Sequence, residues 1–290
     1  MFTTLISVPE LAHLMATDPS AVRVFDCTCD LMNPALGPQQ FEEAHIPGAT
    51  HANLDQHLSA HGGSAAAGTA ASGGRHPLPT REAFAHWLGS VGVDNRHQVV
   101  VYDRNGVNYA GRLWWMLKWC GHDAVAVLDG GLQAWTAVGK AVTHGPADSP
   151  APRLFELRPS AAALTDTATV HSRLGQPGQT VLDARAAARY RGEVEPLDPI
   201  AGHIPGALNR PFSANLGADG LFKPAATLRQ EFEALLAGRD PASVVHHCGS
   251  GVSAVPNLLA MELAGLGRQA LYAGSWSEWS NIPGLPVEKG

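Results

Sequence analysis

The stretch His45-Ile46-Pro47-Gly48-Ala49 returns 158 residues later as His203-Ile204-Pro205-Gly206-Ala207. Three further landmarks repeat in the same order around it: residues 24–26 match 181–183, residues 99–103 match 244–248, and residues 128–135 match 272–279. An ordered set of internal matches is the signature of a duplicated structural unit. The sequence therefore predicts two copies of one fold in tandem.

Each half alternates short apolar runs with longer helical patterns. The predicted strands are residues 22–25, 99–102 and 124–128 in the first half and 181–183, 244–247 and 270–272 in the second. The predicted helices include residues 81–89, 110–120, 227–237 and 253–264. Almost continuous apolar strands that alternate with helices predict an α/β fold, a mainly parallel sheet flanked by helices. Ser7 and Glu10 form a predicted capping box at the first helix.

Two irregular segments divide the chain. Residues 139–159 contain four prolines and show no periodicity, which predicts a linker. We therefore expect domains at residues 1–143 and 158–290, joined by residues 144–157. The offset between the halves falls from 158 to 145 after the first landmarks, so the first half holds an insertion. The Gly/Ala/Ser-rich residues 59–75 are the candidate and predict a flexible loop.

Composition excludes several classes of protein. The 290 residues carry a formal charge of −6 without a long basic run, which argues against a nucleic-acid partner. No apolar run reaches the length of a membrane span. The first twenty residues lack the basic region of a secretory signal and the arginines of a transit peptide. Four cysteines do not make a disulfide framework, so we expect a reducing compartment, the cytoplasm.

The four cysteines differ in their surroundings. Cys27 and Cys29 follow a predicted strand without the further ligands that a metal site needs, and Cys120 ends an apolar helix. These three are interpreted as structural thiols. Cys248 instead follows a strand and opens the segment Cys-Gly-Ser-Gly-Val-Ser-Ala before a helix. Backbone N–H groups of such a loop stabilise a thiolate, so Cys248 is the predicted nucleophile.

A cysteine between a strand and a helix serves two known chemistries. Cysteine phosphatases place an arginine six positions after the cysteine, and here that position is Ala254. The phosphatase reading is therefore rejected, and sulfur transfer through a persulfide remains. The nearby histidines are interpreted as structural: His45 and His203 because both halves contain them, and His246 and His247 because adjacent strand residues face opposite ways.

With these motifs the chain resembles the two-domain sulfurtransferases of the rhodanese superfamily over nearly its full length. The resemblance rests on the repeated His-Ile-Pro-Gly-Ala, on residues 181–185, on the Cys248 loop and on residues 274–279. It implies that only the second half carries the nucleophile, and Asp103 indeed stands at the matching position of the first. In enzymes of this superfamily that use thiosulfate, the cysteine loop typically resembles Cys-Arg-Lys-Gly-Val-Thr. Here Gly249 and Ser250 follow the cysteine, and the loop resembles that of the 3-mercaptopyruvate sulfurtransferases.

The resemblance also implies roles for further residues. Arg185 and Arg189 would bind the substrate carboxylate and keto group, since Arg185 follows a strand end at the same edge as Cys248. Asp55, His76 and Ser250 would form a proton relay across the cleft between the halves, although Pro77 replaces the methionine of the family motif. The N–H groups expected to hold the persulfide belong to the loop residues Gly249, Gly251 and Val252.

The predicted reaction takes sulfur from 3-mercaptopyruvate, releases pyruvate and passes the sulfur to an acceptor. Thioredoxin, a small dithiol or cyanide would be the acceptor, and neither a cofactor nor a metal is required. One alternative is thiosulfate sulfurtransferase activity on the same scaffold. Another is a non-catalytic binding module or sulfur carrier, which the intact Cys248 loop and the arginines disfavour.

Overall fold

The computed structural model describes residues 1–60, 70–147 and 150–290. Most of the predicted insertion at residues 59–75 therefore lies outside the described residues. The chain forms two compact units. The first contains the described part of residues 1–69, most of residues 79–161, and Ala218–Leu221; the second contains Ala70–Leu78, Ala162–Gly217 and Phe222–Gly290.

The first unit is built on a five-stranded parallel sheet. Its strands are β1 (Leu5–Ile6), β2 (Val22–Asp26), β3 (Thr50–His51), β4 (Gln98–Tyr102) and β5 (Val125–Leu128), in the order β1-β5-β4-β2-β3. Its helices are α1 (Val8–Thr17), α2 (Leu36–Glu43), α3 (Arg81–Ser90), α4 (Ala110–Trp119) and α5 (Gly131–Ala137). The capping box of α1 is confirmed, since the Ser7 N–H donates to Glu10 Oε2 at 2.8 Å.

Helices cover both faces of this sheet because successive strand residues alternate in direction. Val24 packs in an apolar cluster with Leu11 of α1 and Trp135 of α5. Its neighbour Phe25 faces the other way and meets the ring of Trp87 on α3, with centroids 5.8 Å apart. The strands are almost continuously hydrophobic because both faces of the sheet are covered by apolar side chains.

The second unit repeats the arrangement. Its strands are β6 (Ala163–Thr165), β7 (Thr180–Asp183), β8 (Leu208–Asn209), β9 (Val244–His247) and β10 (Ala270–Tyr272), in the order β6-β10-β9-β7-β8, all parallel. Its helices are α6 (Thr167–Ser172), α7 (Ala187–Tyr190), α8 (Ala225–Leu236), α9 (Val255–Leu263) and α10 (Ser275–Trp279). The predicted α/β fold with two parallel sheets is confirmed.

The compact units differ from the predicted halves at the linker. The Arg153 N–H donates to the Gly89 carbonyl at 2.8 Å, and the Arg158 N–H donates to the Cys120 carbonyl at 3.1 Å. These bonds fasten the chain after residue 150 onto α3 and α4. Part of the predicted linker is therefore bound to the first unit rather than free.

No helix within the described ranges combines the length and the apolar character needed to cross a bilayer.

Candidate active site

Cys248 lies at the carboxyl end of β9, the central strand of the second sheet. The chain then turns through residues 249–254 and enters α9, which has Pro256 in its first turn. Parallel sheets bind their ligands outside the carboxyl ends of their strands. The Cys248 side chain therefore occupies the position in the fold where ligand chemistry is expected, and the residue is 2% exposed.

Three hydrogen bonds tie the backbone of this loop to the start of α10. The Cys248 N–H donates to Ser275 Oγ at 3.1 Å, and the Trp276 N–H donates to the Cys248 carbonyl at 3.0 Å. The Ser277 N–H donates to the Gly249 carbonyl at 2.8 Å. Gly251 has a φ of +73°, and a Cβ on it would lie 2.3 Å from the Ala273 carbonyl oxygen. The loop thus has a fixed backbone that requires glycine at 251.

Ser275 holds an unusual conformation to make this contact. Its φ is +56°, a region that L-residues other than glycine rarely adopt. The matching position of the first unit is Gly131, with a φ of +58°. Ser275 Oγ accepts from the Cys248 N–H and donates to the Tyr272 carbonyl at 3.0 Å. The serine hydroxyl thereby fixes the backbone of Cys248, a role that sequence reasoning missed.

His76 contacts the Cys248 loop within the second unit. Its Nδ1 lies 2.7 Å from Ser250 Oγ, and both residues are buried. The segment that carries His76 is anchored one residue earlier, where the Arg75 N–H donates to Ser277 Oγ at 2.9 Å. The structure therefore brings together Cys248, Ser250 and His76. His76 belongs to the first half of the sequence but folds with the second unit.

Asp55 lies in the first unit, after β3. Its backbone N–H donates to Asn53 Oδ1 at 2.9 Å, which forms a tight turn. The proposed orientation of His76 by Asp55 stays a prediction.

Arg185 lies in a buried ionic cluster. Its guanidinium donates to both oxygens of Asp183, with the shortest contact at 2.6 Å, and to the Gly202 carbonyl at 2.7 Å. It also lies 3.3 Å from Glu195 Oε2, and its side chain is 1% exposed. Burial would raise the pKa of the Asp183 carboxyl, but His247 and Arg185 outweigh burial and hold it below its usual value. Substrate binding by Arg185 stays a prediction, and these partners argue against it.

Arg189 is closer to solvent and to the loop. It donates to Glu195 Oε1 at 2.6 Å and to Asp198 Oδ2 at 3.1 Å, with its side chain 18% exposed. A Cβ built on Gly249 would lie 3.4 Å from Arg189 Nη1 and 3.4 Å from Arg75 Nη2. Two guanidinium groups therefore flank the residue that follows Cys248. Arg75 was not predicted as a site residue; its position directly before His76 was the available signal.

The matching loop of the first unit surrounds the side chain of its own Asp103. The Asp103 carboxylate accepts backbone N–H groups at 2.8–2.9 Å, donated by Asn105, Val107, Tyr109 and Ala110. Burial raises the pKa of Asp103, against the opposing effect of these four bonds. Gly106 in this loop has a φ of +68°, similar to that of Gly251. A loop of this design thus directs its N–H groups at one negatively charged group.

The other three cysteines have the surroundings of structural thiols. All four cysteines are free and buried. Burial raises the pKa of Cys29 to about 12 and that of Cys120 to about 11, and it raises that of Cys27 strongly. Each of these three groups therefore stays a thiol near neutral pH, which does not favour nucleophilic chemistry.

The histidines of the repeat have matching contacts in both units. His45 Nδ1 lies 2.8 Å from the Phe41 carbonyl, and the two rings stack at 3.9 Å. His203 makes the same contacts with Tyr190: its Nδ1 lies 2.8 Å from the Tyr190 carbonyl, and the two rings stack at 3.8 Å. In β9, His247 Nδ1 lies 3.1 Å from the Cys248 carbonyl, and burial lowers the pKa of His246 to about 3. His45 and His203 thus have matching structural contacts, and His246 and His247 are fully buried in β9.

Comparisons with known proteins agree with this geometry. The model of the rhodanese-like domain matches residues 7–138 and 166–282. A Pseudomonas aeruginosa protein named "Probable 3-mercaptopyruvate sulfurtransferase" is 48% identical over 268 residues, which are 92% of each chain. The thiosulfate sulfurtransferase of Gallus gallus is 35% identical over 263 residues, 90% of this chain and 86% of the relative.

A solved structure is similar over the same extent. The 3-mercaptopyruvate sulfurtransferase from Leishmania major superposes with a TM-score of 0.81 at 29% identity, covering 98% of this chain and 76% of that one. The family match falls on both halves of the internal repeat, and the loop that carries Cys248 lies inside the second match. With its sequence, its two sheets and its relatives in agreement, this chain belongs to the rhodanese family.

Proposed function

We propose that this chain is a sulfurtransferase that takes sulfur from 3-mercaptopyruvate, carries it as a persulfide on Cys248 and releases pyruvate. The observation that carries the proposal is the Cys248 loop, where a fixed backbone presents one cysteine beside the neutral residues Gly249 and Ser250. Relatives named for this activity span nearly the whole chain, which supports the same assignment.

In the first half-reaction the Cys248 thiolate attacks the sulfur atom of 3-mercaptopyruvate. The new S–S bond forms as the C–S bond breaks. The electron pair of the C–S bond stays on the carbon atom, and the product leaves as the enolate of pyruvate. The terminal persulfide sulfur is negative and is held by the N–H groups of Gly249, Gly251 and Val252. The Asp103 loop supports a role for Val252, because its counterpart Val107 is one of four residues whose N–H groups bind a carboxylate there.

The substrate thiol gives up its proton as the persulfide anion forms, and the enolate carbon takes up one proton to become the methyl group of pyruvate. Ser250 and His76 are the groups for this step, since a hydroxyl 2.7 Å from an imidazole nitrogen passes a proton efficiently. Asp55 is proposed to orient His76. Arg189 is proposed to bind the substrate carboxylate, because its guanidinium is partly exposed beside Gly249. Arg185 then acts through its buried contacts with Asp183 and Glu195, which hold the segment that carries Arg189.

In the second half-reaction a thiol attacks the outer sulfur and restores the Cys248 thiolate. A small dithiol or thioredoxin is the proposed acceptor, and cyanide would form thiocyanate. The four free thiols fit a reducing compartment, and we place the reaction in the cytoplasm.

The test is a comparison of donors with cyanide as acceptor. We expect kcat/KM for 3-mercaptopyruvate to exceed that for thiosulfate by at least about tenfold, or about 1.4 kcal/mol in transition-state stabilisation. A preference for thiosulfate would show that the neutral loop does not set the donor. No turnover of either donor would favour the carrier or binding module.

The Cys248→Ser variant separates catalysis from binding. We expect it to fold, to lose turnover and to gain no sulfur atom in its intact mass after incubation with donor. Cys29→Ser, which changes a buried thiol of the first unit, is the matched control. It should turn over the donor and gain a sulfur atom as the wild type does. Turnover by Cys248→Ser at the wild-type rate would refute the persulfide assignment.

A further inference from the structure

Ser277, the third residue of α10, contacts the chain on both sides of the Ser250–His76 pair. Its backbone N–H donates to the carbonyl of Gly249, the residue before Ser250, at 2.8 Å. Its Oγ accepts from the N–H of Arg75, the residue before His76, at 2.9 Å. Ser277 is itself buried, at 6% exposed. A single residue therefore joins the two segments that bring the hydroxyl and the imidazole together.

The matching position of the first unit makes only one of these contacts. The counterpart of Ser277 is Gln133, and its side-chain amide donates to the carbonyl of Arg104 at 2.9 Å. Arg104 is the counterpart of Gly249, so the same carbonyl is bound in both units. In the second unit the backbone N–H makes that bond, which leaves the Ser277 hydroxyl for the segment that carries His76.

The segment that carries His76 is closed on itself. The Ala71 N–H donates to the Leu78 carbonyl at 2.7 Å, and the Leu78 N–H donates to Ser72 Oγ at 2.8 Å. These bonds join the two ends of residues 71–78 into a compact loop. The position of His76 therefore depends on where this loop is attached to the rest of the second unit.

Gly74 brings the backbone of this loop directly onto the start of α10. Its φ is +85°, and a Cβ on it would lie 2.4 Å from the Gly274 carbonyl oxygen and 2.8 Å from Ser277 Oγ. Both the conformation and the close approach require glycine. The bond from the Arg75 N–H to Ser277 Oγ forms at this same place. The loop is thus attached to α10 one and two residues before His76.

We propose that Ser277 is a positioning residue that holds His76 at hydrogen-bonding distance from Ser250. The inference rests on the proposed function, in which this pair supplies the proton that the enolate carbon takes up. The distance from His76 Nδ1 to Ser250 Oγ is 2.7 Å. Proton transfer needs about 2.6–3.2 Å, so a shift of the loop by about 0.5 Å is enough to impair it. Ser277 fixes this distance through the two neighbouring backbones and takes no part in the transfer itself.

The first experiment compares Ser277→Ala with Ser280→Ala. Ser277→Ala removes the acceptor of the Arg75 N–H and keeps the backbone bond to Gly249. Ser280→Ala is the matched control, because the Ser280 hydroxyl is buried just after α10 and has no hydrogen-bond partner within the described part of the chain. The readout is the rate of pyruvate formation in a single turnover, which reports on the first half-reaction alone.

We expect Ser277→Ala to lower this rate about tenfold at saturating 3-mercaptopyruvate, with the half-saturating concentration within about twofold of the wild type. The rate of Cys248 alkylation by iodoacetamide should stay within about twofold, because the backbone bond to the Cys248 loop remains. Ser280→Ala should match the wild type in all three. A wild-type rate in Ser277→Ala, an equal loss in Ser280→Ala, or a parallel loss of alkylation would overturn the inference.

Combining Ser277→Ala with His76→Ala separates positioning from general damage to the unit. If Ser277 acts through His76, its hydroxyl has nothing left to position once the imidazole is gone. We therefore expect the double variant to form pyruvate within about twofold of the His76→Ala rate. A further tenfold loss in the double variant would show that Ser277 acts elsewhere, and the positioning role would fall.

Hydrogen exchange of the peptide spanning residues 71–78 tests the attachment without turnover. We expect about tenfold faster exchange in Ser277→Ala and in Gly74→Ala, and wild-type exchange in Ser280→Ala. Gly238→Ala is the control for Gly74→Ala, since Gly238 has a φ of +86° but open space around its Cβ. Unchanged exchange in Ser277→Ala, or equal acceleration in both glycine variants, would overturn the inference. Faster exchange in Ser277→Ala, with a wild type that forms no pyruvate, would refute the proposed function and leave the attachment to Ser277 standing.

Discussion

Ser275 gives the sharpest test of how the Cys248 backbone is held. Two substitutions remove the same hydroxyl but differ in backbone freedom: Ser275→Gly and Ser275→Ala. Both leave the buried Cys248 N–H without its acceptor, at a cost of about 1–3 kcal/mol. Glycine adopts a φ of +56° without strain, whereas alanine keeps the penalty of about 1–2 kcal/mol for this region.

The difference between the two variants follows from these magnitudes. Glycine recovers about 1–2 kcal/mol of strain and loses about 0.5–1 kcal/mol through its greater freedom in the unfolded chain. Ser275→Ala should therefore be less stable than Ser275→Gly by about 1 kcal/mol. Gly131, at the same position of the first unit and with nearly the same φ, shows that glycine fits this turn.

The assay must report on the second unit alone, because a chain of two compact units need not unfold in one step. Hydrogen exchange of the peptide spanning residues 270–282, followed across a urea series, gives that local free energy. Both variants should also lose about tenfold in kcat, because both release the Cys248 backbone. If Ser275→Ala proved as stable as Ser275→Gly, strain at this position would be refuted; full activity in both would refute the positioning role.

Three further predictions follow from distances and pKa values. His76→Ala and Ser250→Ala should each lower kcat at least tenfold, and a double variant little worse than either single one would show that they act as one unit; additive losses would contradict this. Gly251→Ala should unfold at lower urea than Gly206→Ala, because both glycines have a φ of +73° but only a Cβ at 251 meets a carbonyl, at 2.3 Å; equal midpoints would refute the steric argument.

The third concerns His57, whose pKa burial lowers to about 4 from 6.5. The unfolded state takes up the proton first, so folding stability falls as pH drops from about 6.5 to 4, by up to about 3 kcal/mol. His57→Gln should flatten the stability profile of the first unit in that window, and an unchanged slope would contradict the assignment.

The repeat predicted the fold because both halves obey the same local rules. Strand β9 was predicted at its observed bounds, Val244–His247, since it is short, apolar and followed by a loop with glycine. The two-residue strands β1 and β3 were not predicted. Two residues give no periodicity, and these edge strands depend on pairing with β5 and β2.

The site was only partly predictable. Cys248 was identified because its loop carries a local pattern, but the partners of Arg185 come from three separate places in the chain. Neither Gly202 nor Glu195 is marked by the sequence as a partner of that arginine. The attachment of residues 70–78 to the second unit was also missed: the resemblance implied the contact of His76 with Ser250, but not the bond from the Arg75 N–H to Ser277, which lies 202 residues away in the chain.

The carboxyl group of Asp103 bears on the different roles of the two duplicated halves. In the first copy the loop binds the carboxyl group of its own Asp103, which is covalently attached and cannot be exchanged for a ligand. The second copy has the Cys248 thiol in the same place, which under the proposed function gains a sulfur atom from the donor and loses it to the acceptor. Under the proposed function, the exchange of aspartate for cysteine at this position thus separates a fixed group from an exchangeable one.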